Sequence, residues 1–257
     1  MKLSIIIPVL NEENYLPPLL NSLKNQGLKD YEIIVADGGS KDRSLEIAKS
    51  FKCKIVTGGL PARGRNEGAK IAKGELLLFV DADVSFSRNS LKKFLKEFSK
   101  KKLDVASFLL KPEGNVFFIK LLYDTFYNLP VLAMEKILPH ATGAILIKRK
   151  LHQKNQGFDE LIKFGEDTDY VRRAARWGNF GILKSEKIYF SQRRFESRGW
   201  IKTYLKIVLA EIYMTLVGPI RSDFLKYRYG NYQKKIKYAF LFLKKDSFWQ
   251  KFFKKNE

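Results

Sequence analysis

Short apolar runs rich in β-branched residues alternate with longer segments whose apolar residues recur every three to four positions. The first pattern is typical of buried strands and the second of amphipathic helices. This alternation predicts βαβ units and a mainly parallel sheet flanked by helices. Strands are predicted at residues 3–9, 31–36, 53–57, 75–80 and 104–110, and helices at residues 12–25, 42–51, 65–73 and 89–101.

The regular alternation stops after residue 111. The apolar segment at residues 116–138 predicts a helix interrupted near Pro130. Further strands are predicted at residues 143–147 and 188–191, with a helix at residues 168–177 between them. We expect the α/β domain to close near residue 195 and assign it residues 1–197.

Residues 198–257 form a separate tail in this interpretation. Two or three basic, aromatic helices are predicted there, with breaks at Gly218-Pro219 and at Gly230. Lysine and aromatic residues are mixed as in helices that lie at a membrane interface. Packing of the apolar faces on the domain and a homodimer contact are the alternatives.

The chain carries a formal net charge of +21, and from residue 200 onward 13 Lys/Arg stand against 4 Asp/Glu. Such charge suits nucleic acid, an anionic membrane surface or a phosphorylated substrate. The longest charge-free stretch, residues 137–147, is roughly half of the ~20 apolar residues that a spanning helix needs. With a single cysteine, Cys53, and no secretory signal pattern, we expect a cytoplasmic protein, peripheral on the inner face of the membrane if the tail binds lipid.

Unusual polar residues collect where the predicted strands end, which is where ligands bind in sheets of this kind. In an extended segment Asp81 and Asp83 point the same way, and the small Ala82 between them leaves room for a ligand. Two converging carboxylates suit Mg²⁺ or Mn²⁺. A solvated turn at a strand end is the alternative.

Arg63 and Arg65 lie in a glycine-rich loop before a predicted helix. Their guanidinium groups suit phosphate oxygens, and Gly64 allows close approach of the backbone. Both are therefore candidates for binding a phosphorylated donor. A basic helix entrance would give the same pattern, and Asn66 would serve either the ligand or the cap of that helix.

Five motifs occur in a fixed order: SIIIPVLNEE at residues 4–13, DGGSKD at 37–42, RGRNEG at 63–68, FVDAD at 79–83 and GEDTD at 165–169. The series strongly resembles family 2 of the inverting glycosyltransferases, over about residues 3–195. The resemblance implies the GT-A fold, a Rossmann-like nucleotide-binding sheet with an acceptor-binding half. It also implies a UDP- or GDP-sugar donor and a carbohydrate or lipid-linked acceptor, such as a polyprenyl phosphate if the tail binds membrane.

By this resemblance Pro8, Asn11 and Glu12 contact the nucleoside, with Glu12 accepting from a ribose hydroxyl. Asp37 accepts from the base, with Gly39 beside it in the nucleotide site. A carboxylate that complements a helix N-terminus, for Glu12, and a plain turn at residues 37–40 are the alternatives.

The resemblance further makes Asp167 the general base that deprotonates the acceptor, with Glu166 and Asp169 in supporting roles. Arg193 and Arg194 would reach the diphosphate when a loop closes, unless they are ordinary surface charge. Helix capping is the alternative for Glu166 and Asp167. His140 is a candidate sugar contact or a solvated loop residue. Of the two metal-site aspartates, Asp83 is the expected direct ligand, while Asp81 faces the nucleotide.

Two other classes of protein fit parts of the pattern. A sugar nucleotidyltransferase can share such a sheet, but the loop at residues 8–13 is acidic and has no glycine. A nucleic-acid-binding module would explain the charge but not the carboxylates at the strand ends. We therefore expect no nucleic-acid partner.

Overall fold

A single eight-stranded sheet organises this computed structural model, which describes residues 2–114, 117–193, 195 and 199–223. The strands are β1 (Leu3–Val9), β2 (Tyr31–Asp37), β3 (Lys54–Thr57), β4 (Leu76–Val80), β5 (Val84–Ser85), β6 (Val105–Pro112), β7 (Ala144–Lys148) and β8 (Phe180–Phe190). Their order is β3-β2-β1-β4-β7-β6-β8-β5. The first four in that order are parallel, β7 runs antiparallel to both of its neighbours, and β6 pairs with β8 in parallel. The predicted mainly parallel sheet is confirmed.

Helices cover both faces of the sheet. They are α1 (Leu16–Lys24), α2 (Ser44–Ser50), α3 (Pro61–Ile71), α4 (Ser90–Lys100), α5 (Phe117–Tyr123), α6 (Leu129–Ala133), α7 (Arg149–Lys154), α8 (Glu166–Ala175) and α9 (Trp200–Leu216). One core cluster joins the sheet to α1, α2 and α4, and the other joins it to α3, α7 and α8. None of the helices within the described residues has the length and apolar content required to cross a membrane.

Two helix starts differ from the sequence expectation by four residues, in opposite directions. The helix α1 begins at Leu16 rather than residue 12, because Asn11 has a positive φ of 57° and the chain turns until it reaches the proline pair in the first helical turn. The helix α3 begins at Pro61 rather than residue 65. Proline is favoured in a first helical turn because its missing N–H would have no helical partner there.

The strand predicted at residues 188–191 is the end of a much longer one, Phe180–Phe190. The register with β6 jumps between Leu183 and Lys187, so Lys184, Ser185 and Glu186 bulge out of the ladder. This polar insertion breaks the alternating pattern by which a strand is found in sequence. The short elements β5 and α7 were not predicted either.

The irregularity near Pro130 is a π-helical turn, Asp124–Asn128, between α5 and α6. Proline has no N–H to donate to the carbonyl of Phe126, four residues earlier. The hydroxyl of Tyr204, on α9, donates to that carbonyl instead at 3.2 Å. The break therefore gives α9 a point of attachment. The tail break predicted at Gly218-Pro219 follows the end of α9, and the one at Gly230 lies outside the described residues.

Candidate active site

A cavity of about 240 Å³ opens beyond the carboxyl ends of β1 and β4. Its wall combines residues from the loops after these strands, from the start of α8 and from one side of α9. The residues predicted from sequence that line it are Pro8, Glu12, Arg65, Asp81, Ala82, Asp83, Glu166, Asp167 and Arg193. The parallel topology thus brings together side chains that are up to 185 positions apart, from Pro8 to Arg193.

Arg65 links two of the acidic motifs. It is buried on α3, where its Nη2 donates to Oδ1 of Asp81 at 2.7 Å and its Nη1 to Oε1 of Glu166 at 2.8 Å. Burial alone would lower the pKa of Arg65, but the charges of Asp81, Glu166 and Asp167 raise it above the ordinary value. Arg65 therefore stays charged and holds the loop after β4 against the start of α8.

Arg193 links the first acidic motif, at residues 4–13, to the motif at residues 79–83 that Arg65 also contacts. Its Nη1 and Nη2 donate to the Glu12 carboxylate at 2.6 and 2.8 Å, and its Nε donates to Oδ2 of Asp83 at 3.0 Å. The guanidinium also stacks over the ring of Tyr15, 4.1 Å from the centroid. Burial raises the pKa of Glu12 although Arg193 acts to lower it. The carboxylates of Glu12 and Asp83 are thus held by the same guanidinium.

Asp167 begins α8 together with Glu166. The preceding Gly165 adopts a φ of 75°, a conformation that favours glycine, and this turn aims the first helical residues at the cavity. Burial, with a further contribution from the Glu166 charge, raises the pKa of Asp167 to about 6. One oxygen of Asp167 accepts from the backbone N–H of Thr168 at 2.8 Å. Asp169 faces away and pairs with Arg173 at 2.7 Å.

Some of the residues predicted to contact the nucleobase or the nucleoside lie beside the cavity and do not line its wall. They are Asn11, Asp37 at the end of β2, and Gly39 in the turn that follows. The Asp37 carboxylate accepts from the backbone N–H groups of Gly39 and Ser40, at 3.1 and 3.2 Å. Asn11 locks onto the same turn, because its N–H donates to the Ser40 hydroxyl and its Oδ1 accepts from the N–H of Lys41. The loops after β1 and β2 are therefore fixed to each other.

Two further candidates also lie off the wall. Arg63 is exposed on α3. Asn66 lies in the second turn of that helix, so the helix-cap alternative is wrong, and its side chain instead bonds with both the N–H and the carbonyl of Phe158. Arg194 lies outside the described residues.

The cavity wall also contains residues that sequence reasoning missed, on α9, at the end of α5 and in the π-helical turn. They are Tyr123, Tyr127, Ile207, Glu211 and Met214. His140, which the sequence left as either a sugar contact or a solvated loop residue, is in the wall too, between the Tyr127 hydroxyl at 3.1 Å and Glu211 at 3.5 Å. Glu211 could have been noticed as the sole acidic residue in a long apolar and basic segment.

Within the described part of the chain, no group of three or more His, Cys, Asp or Glu side chains is arranged to hold a metal ion. Asp81 and Asp83 nevertheless fit the way Mg²⁺ is usually held, with one or two carboxylates and with substrate phosphates completing the shell. The donor set of this chain thus suits a cation that binds together with a diphosphate.

The sheet and its cavity define a GT-A glycosyltransferase fold. The chain superposes on the crystal structure of Staphylococcus aureus TarS 1-349 with a TM-score of 0.62 and 23% identity, covering 84% of this chain and 73% of that one. It superposes on the mannosyltransferase PcManGT from Pyrobaculum calidifontis, solved with GDP-Man and Mn²⁺, with a TM-score of 0.63 and 17% identity, covering 84% and 70%.

The chain belongs to glycosyl transferase family 2, whose profile matches residues 4–155. It is 26% identical over 227 residues to the poly(ribitol-phosphate) beta-N-acetylglucosaminyltransferase TarS of S. aureus, covering 80% of this chain and 38% of that protein. It is 30% identical over 205 residues to the glycosyltransferase EpsJ of Bacillus subtilis, covering 72% and 59%. The chain thus spans about two fifths to three fifths of the length of these relatives. Family membership favours the transferase over the nucleotidyltransferase and nucleic-acid alternatives.

Proposed function

We propose that this chain transfers a sugar from a nucleotide diphosphate sugar to an acceptor hydroxyl or a lipid phosphate, inverting the anomeric carbon. The observation that carries the proposal is Asp167, a partly buried carboxylate in the wall of the cavity whose pKa is raised to about 6. A general base works best when its pKa is near the working pH. The single base and the absence of an assigned enzymic nucleophile favour one in-line displacement.

Each side chain then has a separate task. Asp167 takes the proton of the acceptor hydroxyl while the acceptor oxygen bonds to the anomeric carbon and the bond to the diphosphate breaks. Arg65 holds Glu166 beside this base and keeps the acidic residues in place. Glu12 accepts a hydrogen bond from a ribose hydroxyl. The turn at residues 37–40, which is hydrogen-bonded to Asn11, contacts the nucleobase.

The donor is proposed to be a UDP- or GDP-sugar. Similar structures were solved with UDP-GlcNAc, for TarS, and with GDP-Man and Mn²⁺, for PcManGT. Arg65 and Arg193 supply positive charge for the diphosphate, and Asp81 and Asp83 would hold Mg²⁺ or Mn²⁺, with Asp83 as the direct ligand. When bound, such a cation neutralises the charge that develops on the leaving diphosphate.

The test compares Asp167→Asn with the wild type and with Asp159→Asn, an aspartate outside the cavity wall that pairs with Arg221. UDP-, GDP- and dTDP-sugars are screened by thermal shift and by hydrolysis, with and without Mn²⁺ or Mg²⁺. Asp167→Asn is expected to keep the donor-induced shift and to lose about 10²–10⁴-fold in turnover, since it removes the base but no donor contact. Asp159→Asn should keep nearly full turnover.

Two outcomes would count against the proposal. If no nucleotide sugar gave a shift or hydrolysis with either metal, the donor assignment would fail. If Asp167→Asn turned over as fast as Asp159→Asn, another group would have to be the base.

A further inference from the structure

The exposed side of α9 carries a stripe of large apolar side chains. Leu205, Leu209, Ile212 and Leu216 are all exposed, with Leu209 at 61% and Leu216 at 79%. Their spacing of four, three and four places them on one side of the helix. Ile207 and Met214, on the other side, line the cavity. The helix is therefore apolar both toward the cavity and toward solvent.

A second stripe lies on the neighbouring segment, which consists of α5, the π-helical turn and α6. Leu122, Phe126 and Leu129 are exposed there, Phe126 at 57%. Tyr204 at the start of α9 donates to the Phe126 carbonyl, so the two segments are in contact. We call these two stripes together the apolar face. A contiguous apolar patch on a protein surface marks a site of protein or membrane interaction.

The charges around the apolar face are basic. Lys202 is exposed on α9, and Lys136 is exposed three residues after the end of α6. The acidic residues of these segments are instead paired with basic groups: Asp124 with Lys187, Glu135 with Lys184 and Glu211 with Arg172. Beyond the described part of the chain, residues 224–257 contain 10 Lys/Arg, 2 Asp/Glu and 11 aromatic residues in sequence.

We infer that the apolar face is a docking surface for an anionic membrane. Lysine side chains beside buried apolar residues reach anionic headgroups while their stems cover apolar surface. The complementary charge favours a bilayer over an uncharged partner, because each basic residue near such a surface adds to the attraction. A helix is about 10 Å across, so the cavity lies within roughly one helix diameter of the headgroups. An acceptor carried by a lipid would then reach Asp167 from the membrane; this last step alone rests on the proposed function.

The test uses the full chain and vesicle flotation, with vesicles of phosphatidylcholine alone or mixed with phosphatidylglycerol. Phe126→Ser/Leu209→Ser removes one large side chain from each stripe. Trp177→Ser/Ile71→Ser is the matched control, because Trp177 is also 57% exposed and the two residues precede the amino ends of β8 and β4, whereas the cavity lies beyond carboxyl ends. Retained thermal unfolding and donor-induced shift show that each variant is folded, and these readouts separate docking from the transferase activity.

We expect the wild type and the control to float with anionic vesicles, less so at high salt, and the apolar-face variant to lose at least about tenfold in partitioning. Equal partitioning of the apolar-face variant would overturn the inference. A wild type that stays off anionic vesicles would also overturn it. In that case, a dimer that the apolar-face variant dissociates would identify a second copy as the occupant, and a monomer would point to residues 224–257.

Discussion

Charged side chains in the cavity wall are arranged so that each arginine serves two acidic motifs. Arg65 holds Asp81 and Glu166, while Arg193 holds Glu12 and Asp83. Ion pairs removed from water are costly to break, because a lone buried charge has nothing to replace its hydration. In the proposed function, a bound diphosphate would therefore share these arginines with the carboxylates, and donor binding would be linked to rearrangement of the wall.

The raised pKa of Asp167 predicts how activity depends on pH. A carboxylic acid with a pKa of about 6 is ionised, and able to accept a proton, only above that pH. The kcat/KM of sugar transfer should therefore be level above pH 7 and fall about tenfold per unit below pH 6. A profile measured with a donor saturating at every pH checks this. A rate that stays level down to pH 5 would contradict the assignment.

The raised pKa of Asp167 also predicts how stability depends on pH, with a sign opposite to that of activity. Because the pKa of Asp167 is higher in the folded state than the ordinary 3.8, ionisation favours unfolding, and stability falls as the pH rises from about 4 through 6. Asp167→Asn removes that charge. It should unfold at a higher temperature than the wild type at pH 7.5, by the equivalent of roughly 1–3 kcal/mol, and should lose this advantage below pH 4.

At the scale of elements, α3 lies unusually close to β1, and this contact positions Arg65. A Cβ atom added at Gly68 would be only 2.4 Å from Cγ2 of the buried Ile6. Helix propensity alone would make Gly68→Ala stabilising by about 1 kcal/mol. Overpacking costs about 1–3 kcal/mol, so packing should win. We expect a lower free energy of unfolding, measured by chemical denaturation, together with weaker donor binding as Arg65 shifts.

A second background isolates the clash. In Ile6→Ala the methyl that opposes Gly68 is gone, so adding Gly68→Ala to it should be neutral or stabilising, and the two substitutions should couple strongly. If Gly68→Ala were stabilising in the wild-type background, the spacing of α3 and β1 would not be the constraint that we infer.

The sequence predicted elements best where one physical pattern acts alone. The central strands β1 and β4 were found because buried parallel strands are continuous apolar runs. The bounds of α1 and α3 were wrong by four residues because prolines, rather than apolar periodicity, decide where they begin. The bulge at residues 184–186 hid most of β8, since its three polar residues interrupt the pattern of the strand.

The sequence predicted the candidate site to a similar extent. Carboxylates at the ends of parallel strands must gather at one edge, so Glu12, Asp81 and Asp83 could be grouped in advance. Which arginine neutralises which carboxylate depends on side-chain geometry that spacing does not encode. The contribution of Glu211 was missed because it depends on how α9 packs, and the apolar and basic pattern of that helix fits several surfaces equally well.

On the scale of the whole molecule, the described part of the tail contributes to the same cavity as the α/β domain. Glu211 on α9 accepts from Arg172 on α8 and lies 3.5 Å from His140. Burial would raise the pKa of Glu211, but the hydrogen bond from His140 and the charges of His140 and Arg172 lower it below the ordinary value. An acid with a lowered pKa adds stability once ionised, so this junction is strongest above about pH 5 and weakens as Glu211 is protonated.

This junction gives a prediction about how the tail is held. Glu211→Ala would leave Arg172, whose side chain is 17% exposed, without its carboxylate partner, and should cost about 1–3 kcal/mol in the free energy of unfolding at pH 7. Glu46→Ala is the control, because its pair with Arg43 is largely exposed and should contribute less than about 1 kcal/mol. Chemical denaturation measures both, and limited proteolysis should cut Glu211→Ala faster near α9.

Glu211→Gln should lose less stability than Glu211→Ala, since its carbonyl can still accept a hydrogen bond from Arg172. If Glu211→Ala cost no more than Glu46→Ala, apolar contacts alone, such as that of Met214 with Gly165, would hold α9 over the cavity.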